Sequence, residues 1–273
     1  MWVRLDFSIV NVFTRATFGG NPLAVFRNGG GLDDETMQSI AQQLNLSETT
    51  FVLPSTTADY RVRIFTPRFE VPLAGHPAVG TAFVLDQGER VVFELAAGPV
   101  TVERLDADTW RMVQPKVEFG PELPRGDVAA SLGLDERELL DLPVETAKVG
   151  APFAMVGVRS VESLSRARFS PQAWRALSCE ATGLYPFAMT EEARVSARLL
   201  GVPGIDEDPA TGSAAGPLAA FLKRNGRLDS GRLSVDQGVG MGRPSRIEVE
   251  VDADRRPRIW GPSTLVGGGH LVI

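Results

Sequence analysis

Two short segments of this chain have nearly the same sequence, and they lie 132 residues apart in a chain of 273. Residues 75–82 read GHPAVGTA and residues 207–214 read EDPATGSA, so proline, alanine, glycine, a hydroxyl residue and alanine recur at matching offsets. A repeat at about half the chain length predicts two similar halves. The unmatched position of chemical interest holds His76 in one segment and Asp208 in the other, which suggests a site with a different titratable group from each half.

Each of these two side chains is followed by a proline, the residue favoured at the first position of a helix. The pattern predicts helices over 77–86 and 209–225, with His76 and Asp208 as the cap residues. The N-terminus of a helix offers free N–H groups and a positive dipole, which suit a carboxylate or an enolate-like intermediate. Asp208 is also an ordinary structural cap residue, whereas histidine caps poorly, so the functional interpretation is stronger for His76.

A third candidate is Glu48, in the segment NLSETTFV of residues 45–52. The carboxylate sits where a polar turn becomes an apolar strand. It is either a solvated charge at the strand edge or, against an apolar cleft wall, a group that accepts and returns a proton near neutral pH.

Composition excludes several classes of function. The net charge of −6 argues against a nucleic-acid partner, which calls for a basic face. No apolar stretch is long enough for a membrane helix, and charges interrupt the segment Met1–Asp6, so we expect a cytoplasmic protein without a signal peptide. Cys179 is the single cysteine and no His/Cys cluster has ligand spacing, so we expect neither a metal nor another cofactor.

The strand and helix patterns predict an α+β protein. Each half contains many strands and about two helices, and the short connections favour antiparallel hairpins over βαβ units. The segment Gln114–Gly126 is rich in proline and glycine, which places the boundary between an N-terminal half, 1–117, and a C-terminal half, 118–264.

Together these motifs resemble those of the PhzF-like family, whose best-known member is the isomerase of phenazine biosynthesis. The resemblance extends in order over most of the chain, and the combination of motifs is specific. The matching segments are Asn11–Phe13, Gly20–Val25, Asn45–Thr49, Phe65–Pro67, Pro72–Pro77 and Glu207–Ala214.

This resemblance implies a diaminopimelate-epimerase-like fold. Such a protein has two pseudo-symmetric halves, each a curled, mostly antiparallel sheet around a central helix, with the active site in the cleft between them. The strand 265–273 is then expected to return to the first half. Relatives also imply a homodimer.

The resemblance further implies roles for individual residues. Glu48 matches the family's acid/base glutamate, and His76 and Asp208 match its other catalytic residues. The residues implied to bind a substrate carboxylate or its surroundings are Asn21, Ser47, Gly75, Gly212 and Ser213.

The chain departs from the family pattern at Ala78, where threonine is usual, and over Leu199–Pro203, which forms one expected wall of the pocket. Epimerases of this fold use two cysteines, a mechanism that the lone Cys179 excludes. The sequence therefore predicts a cofactor-independent isomerase that shifts a proton on a small carboxylate-bearing substrate. The alternatives are a non-catalytic binding homologue and a lyase or hydrolase on the same scaffold.

Overall fold

The computed structural model describes residues 3–273, so the first two residues of the N-terminal segment discussed above lie outside it. The chain divides into two compact units. The first contains the chain up to Val113 together with Trp260–Ile273, and the second is the continuous segment Gln114–Ile259.

The first unit contains eight strands and two helices among its described residues, before the final strand. The strands are β1 Arg4–Val12, β2 Asn21–Phe26, β3 Glu48–Leu53, β4 Tyr60–Phe65, β5 Glu70–Val71, β6 Arg90–Leu95, β7 Gly98–Arg104 and β8 Thr109–Val113, and the helices are α1 Asp34–Leu44 and α2 Gly75–Leu85. Stacked and edge-to-face rings of Phe26, Phe51 and Phe65 contribute to the core beneath α1.

The second unit is built from short strands and four helices in its described part. The strands are β9 Glu118–Glu122, β10 Glu145–Lys148, β11 Phe153–Val158, β12 Gly183–Glu191, β13 Arg194–Ala197, β14 Arg232–Gln237 and β15 Ser245–Val251, and the helices are α3 Arg125–Ser131, α4 Val161–Arg166, α5 Pro171–Ala176 and α6 Gly212–Arg224. The final strand, β16 Pro257–Val272, begins in this unit and ends in the first, where it pairs with β1.

Most strand pairs in both units are antiparallel, as predicted, but the expectation of hairpins rather than βαβ units is wrong at four places. The pairs β2–β3, β4–β6, β11–β12 and β13–β14 are parallel. Each pair is joined through a helical segment, because a parallel pair requires a crossover connection. The crossover between β4 and β6 carries the Gly75–Ala82 segment, and the crossover between β13 and β14 carries the Glu207–Ala214 segment.

One helix forms the centre of each unit. In α2 every residue except Phe83 is buried, and the helix packs on β1, β2, β3, β7 and β8. In α6 the segment Ala214–Leu222 is buried against β10, β11, β14 and β15. A helix that is apolar on all sides requires such an enclosure. Within the described residues, no helix combines the length and apolar character needed to span a membrane.

Both central helices begin at other residues than the sequence predicted. Helix α2 starts at Gly75, so His76 lies inside the first turn and Ala74 is the N-cap. Helix α6 starts at Gly212 with Thr211 as N-cap, so Asp208 lies outside the helix. Neither His76 nor Asp208 is therefore a cap residue, and neither proline is the first residue of its helix: Pro77 is the third residue of α2, and Pro209 lies in the loop before α6.

Candidate active site

Glu48 and His76 are in contact in the first unit. His76 Nε2 lies 3.1 Å from Glu48 Oε2, and the two side chains are only 5% and 15% exposed. Neither atom has a hydrogen-bond partner among the described residues. The two atoms are therefore as close as the atoms of an ion pair, but their orientation does not allow a hydrogen bond between them. Both atoms therefore retain the capacity to bond to a third group.

The packing of α2 explains this contact. A Cβ atom at Gly80 would lie 2.7 Å from both Leu23 Cδ2 and Val12 Cγ2, so the helix approaches β1 and β2 closely at this glycine. His76 precedes Gly80 by four residues and lies on the same face of the helix. Since Leu23 is in register with Glu48 across β2 and β3, that face of α2 brings the imidazole to the start of β3.

Asn21, the first residue of β2, is completely buried and fixes the orientation of the imidazole. Its Nδ2 atom lies 3.2 Å from His76 Nδ1. An amide nitrogen only donates, so Nδ1 accepts and the proton of the neutral ring is on Nε2. That nitrogen is the one 3.1 Å from Glu48 Oε2, although the two atoms do not form a hydrogen bond. The side-chain nitrogen of Asn21 thus contacts the histidine, and the substrate-binding role of Asn21 stays a prediction.

The other residues predicted in this unit flank the same pair. Ser47 immediately precedes β3 and is half-buried, and Gly75 is the buried first residue of α2. The N-cap of α2 makes no side-chain hydrogen bond, so the first turn carries no side-chain cap. The substrate-binding roles of Ser47 and Gly75 stay predictions.

In the second unit the predicted residue Asp208 belongs to a hydrogen-bonded group with Thr211 and Gln237. Asp208 is 9% exposed, and its Oδ2 atom accepts a 2.5 Å hydrogen bond from the Thr211 hydroxyl. Gln237, at the end of β14, donates from Nε2 to the Asp208 carbonyl and to the Thr211 hydroxyl. The loop is therefore held by a side chain that is distant in sequence.

Two further contacts anchor this loop. Arg198 binds Glu207 through two parallel hydrogen bonds of 2.8 and 2.7 Å, a geometry that fixes orientation as well as charge. Ser245 donates its hydroxyl to the Pro209 carbonyl. Beyond the loop, Gly212 opens α6 and the half-buried Ser213 follows it; their predicted roles in substrate binding are untested.

The segment that departs from the family pattern, Leu199–Pro203, contacts the same loop. Leu199 forms an isolated antiparallel bridge with Asp208, and Leu200 forms one with Leu184. Both leucines are buried. The segment Leu199–Pro203 thus packs inside the second unit and supports the backbone of the loop that contains Asp208.

Sequence reasoning missed Gln237 and Tyr185, whose hydroxyl donates to Gln237 Oε1 over 2.8 Å. Tyr185 is fully buried, and its pKa is raised above the ordinary range by burial and, secondarily, by the negative charge of Asp208. Neither residue lies in a recognisable motif. No group of three or more His, Cys, Asp or Glu within residues 3–273 has a metal-binding arrangement.

Comparison with known proteins gives a match over nearly the whole chain. The PhzC-PhzF family, described as phenazine biosynthesis-like protein, matches residues 10–269. An uncharacterized isomerase of Mesorhizobium japonicum is 35% identical over 98% of this chain and 99% of its own length. The trans-2,3-dihydro-3-hydroxyanthranilate isomerase of Pseudomonas chlororaphis is 34% identical, with coverage of 97% and 98%.

A solved structure shows the same likeness. The chain resembles a predicted epimerase from Pseudomonas aeruginosa with a TM-score of 0.87 and 31% identity, over 98% of this chain and 99% of that one. The likeness confirms the α+β, epimerase-like fold class that the sequence motifs implied. The homologues are named isomerases and epimerases, which confirms the prediction of an isomerase.

Proposed function

Because the chain belongs to the PhzC-PhzF family of phenazine biosynthesis-like proteins and is an isomerase, we propose that it shifts a proton on a small carboxylate-bearing substrate without a cofactor. In this proposal the Glu48 carboxylate removes a proton from a carbon next to a conjugated system. The electron pair moves through that system, and the protonated Glu48 returns the proton to another carbon. No atom is gained or lost in the reaction.

The observation that carries the proposal is the buried contact of 3.1 Å between Glu48 and His76. With Asn21 donating to Nδ1, the neutral imidazole carries its proton on Nε2, the atom that lies 3.1 Å from the carboxylate. A hydrogen-bond donor at this place would stabilise negative charge that develops on the substrate next to the base. Glu48 and His76 are thus suited to act together, one moving the proton and the other stabilising the charge.

Asp208 has the third role in this proposal, to orient the substrate. The Thr211 hydroxyl that donates to its carboxylate supports an ionised Asp208. An ionised group would orient a substrate through its hydroxyl or ammonium groups. Trans-2,3-dihydro-3-hydroxyanthranilate, the compound named for the Pseudomonas chlororaphis relative, carries a carboxylate and is the first compound to test.

The decisive experiment measures deuterium incorporation from D2O into trans-2,3-dihydro-3-hydroxyanthranilate, then into a panel of cyclic and acyclic hydroxy and amino acids. The Glu48→Gln variant should lose roughly 10²- to 10⁴-fold in exchange rate, the usual contribution of a placed general base. Glu103→Gln is the matched control, since Glu103 is a partly buried glutamate of the same unit that is paired with Arg111.

Wild-type exchange in Glu48→Gln would contradict the role of Glu48. A product that has lost a fragment, or gained water, would instead show the lyase or hydrolase chemistry that the sequence left open.

A further inference from the structure

The side chain of Gln237 uses all of its hydrogen-bonding capacity inside the second unit. It is 1% exposed. Its Nε2 atom donates to the Asp208 carbonyl at 2.8 Å and to the Thr211 hydroxyl at 2.9 Å. Its Oε1 atom accepts from Tyr185 at 2.8 Å and from the Thr211 backbone N–H at 3.1 Å. A carboxamide has two donors and two acceptor positions, so none is left over.

The direction of these hydrogen bonds is fixed by chemistry. The amide nitrogen of Gln237 only donates, so the Thr211 hydroxyl accepts from it and must give its own proton to another group. That group is the Asp208 carboxylate, 2.5 Å away. The donors therefore run in one direction, from Gln237 through Thr211 to Asp208, and end on a negative charge. Hydrogen bonds in such a chain polarise and strengthen one another.

Tyr185 secures the other end of the chain. Its hydroxyl donates to Gln237 Oε1, which fixes the amide so that the nitrogen faces the loop. Because burial and the Asp208 charge raise the pKa of Tyr185, the phenol remains a donor over the range in which a carboxylate enzyme works. The orientation of the Gln237 amide therefore does not change with pH in that range.

We propose that Gln237 is a positioning residue for the isomerase: through Thr211 it holds the Asp208 carboxylate ionised and in one orientation. This inference rests on the role proposed for Asp208. Gln237 itself touches no reacting atom. The alternative is that the same hydrogen bonds only stabilise the fold of the unit, and the experiments below separate the two.

Thr211→Val is the central variant, because it keeps the shape of the side chain and removes the link to Asp208. Thr211 is the N-cap of α6 but makes no side-chain cap hydrogen bond, so the helix loses no cap. Gln237→Glu keeps the acceptors for Tyr185 and removes the two donors. Gln114→Glu is the matched control: Gln114 is a similarly buried glutamine of the same unit, and it donates to the Gly212 carbonyl rather than to Asp208 or Thr211.

The first measurement needs no substrate. The 13C signal of the Asp208 carboxyl should titrate at higher pH in Thr211→Val and in Gln237→Glu than in the wild type, and at the wild-type pH in Gln114→Glu. The other charged groups near this loop are Glu207, paired with Arg198, and Arg243, whose backbone packs on Gly238; these variants leave them in place. An unchanged titration in Thr211→Val would overturn the proposal, even if Gln237→Glu does not fold.

The second measurement is kinetic. With trans-2,3-dihydro-3-hydroxyanthranilate, each single variant should raise KM by up to roughly ten-fold with kcat nearly unchanged, because it weakens a hydrogen bond to the carboxylate that we assign to substrate orientation. The double variant should raise KM no more than the larger single increase, since both changes break the same chain. Increases that multiply, or an equal increase in Gln114→Glu, would show that Gln237 only stabilises the unit.

Asp208→Asn distinguishes the two proposals. If this variant keeps wild-type activity, the role proposed for Asp208 is wrong while the carboxyl titration still tests Gln237. If it loses activity and the titration is unchanged in Thr211→Val, the positioning role alone is wrong.

Discussion

In the first unit His76 lies within the first turn of α2, whereas in the second unit Asp208 lies four residues before α6 begins. His76 receives its orientation from Asn21 on the adjacent strand. Asp208 is oriented by Thr211 in the same loop and by Gln237 on β14. Two nearly identical sequence segments thus hold their titratable groups in different ways, one on a buried helix and the other in an anchored loop.

The same contrast extends to the proposed base. Glu48 is the first residue of β3, the second strand of a parallel crossover, and Gly183 begins the corresponding strand β12 of the second unit. A Cβ atom at Gly183 would lie 2.8 Å from the Leu200 carbonyl. The second unit therefore has no room for a side chain where the first carries its carboxylate. The two units are alike in topology but only one can hold this base.

The largest expected difference between the two sequence segments is kinetic. His76→Ala should lower kcat for proton exchange by about 10²-fold or more, because it removes a donor beside the base. Asp208→Asn should cost about ten-fold and mainly raise KM, since we assign it to substrate orientation. The values of kcat and KM for deuterium exchange in the two variants check both expectations. Equal losses in kcat would contradict the division of roles between the two loops.

A second difference concerns the central helices and should appear in urea unfolding. A Cβ at Gly216 in α6 would lie 1.9 Å from Gln114 Oε1 and 2.9 Å from Pro257, whereas at Gly80 in α2 it would meet only side-chain methyl groups at 2.7 Å or more. We expect Gly216→Ala to cost about 3 kcal/mol and Gly80→Ala about 1–2 kcal/mol, within the range for overpacked cores. The reverse order would mean that α6 adjusts more easily than α2.

The smallest effect tests the histidine alone. Asn21→Ala removes the donor to Nδ1, so the His76 ring should become a mixture of two neutral tautomers. The 15N shifts of the imidazole report this directly, and the exposed His270, the only other histidine, is the internal control. Activity should fall less than ten-fold, by the amount of one neutral hydrogen bond. A single unchanged tautomer in Asn21→Ala would show that Glu48 alone orients the ring.

Local sequence was sufficient to locate the two loops, because each motif is continuous and the repeat marks both. It misplaced the helix starts: the proline rule describes the average helix, but here the proline follows His76 within the helix and precedes α6 by three residues. It also missed Gln237, which reaches Asp208 from 29 residues away on another strand. Such partners are determined by strand register, which no short pattern encodes.

The strand β16 has a consequence for how the protein is made. Residues 260–273 belong to the first unit, and Arg4 through Val12 of β1 pair with Ser263 through Val272. During synthesis β1 therefore emerges first, and it cannot pair with β16 until the ribosome has translated all of the second unit. That unit is one continuous segment. Since domains fold as units during translation, Gln114–Ile259 is able to fold before the unit that carries Glu48 and His76 is complete. The half of the enzyme with the proposed base is the last to acquire its structure.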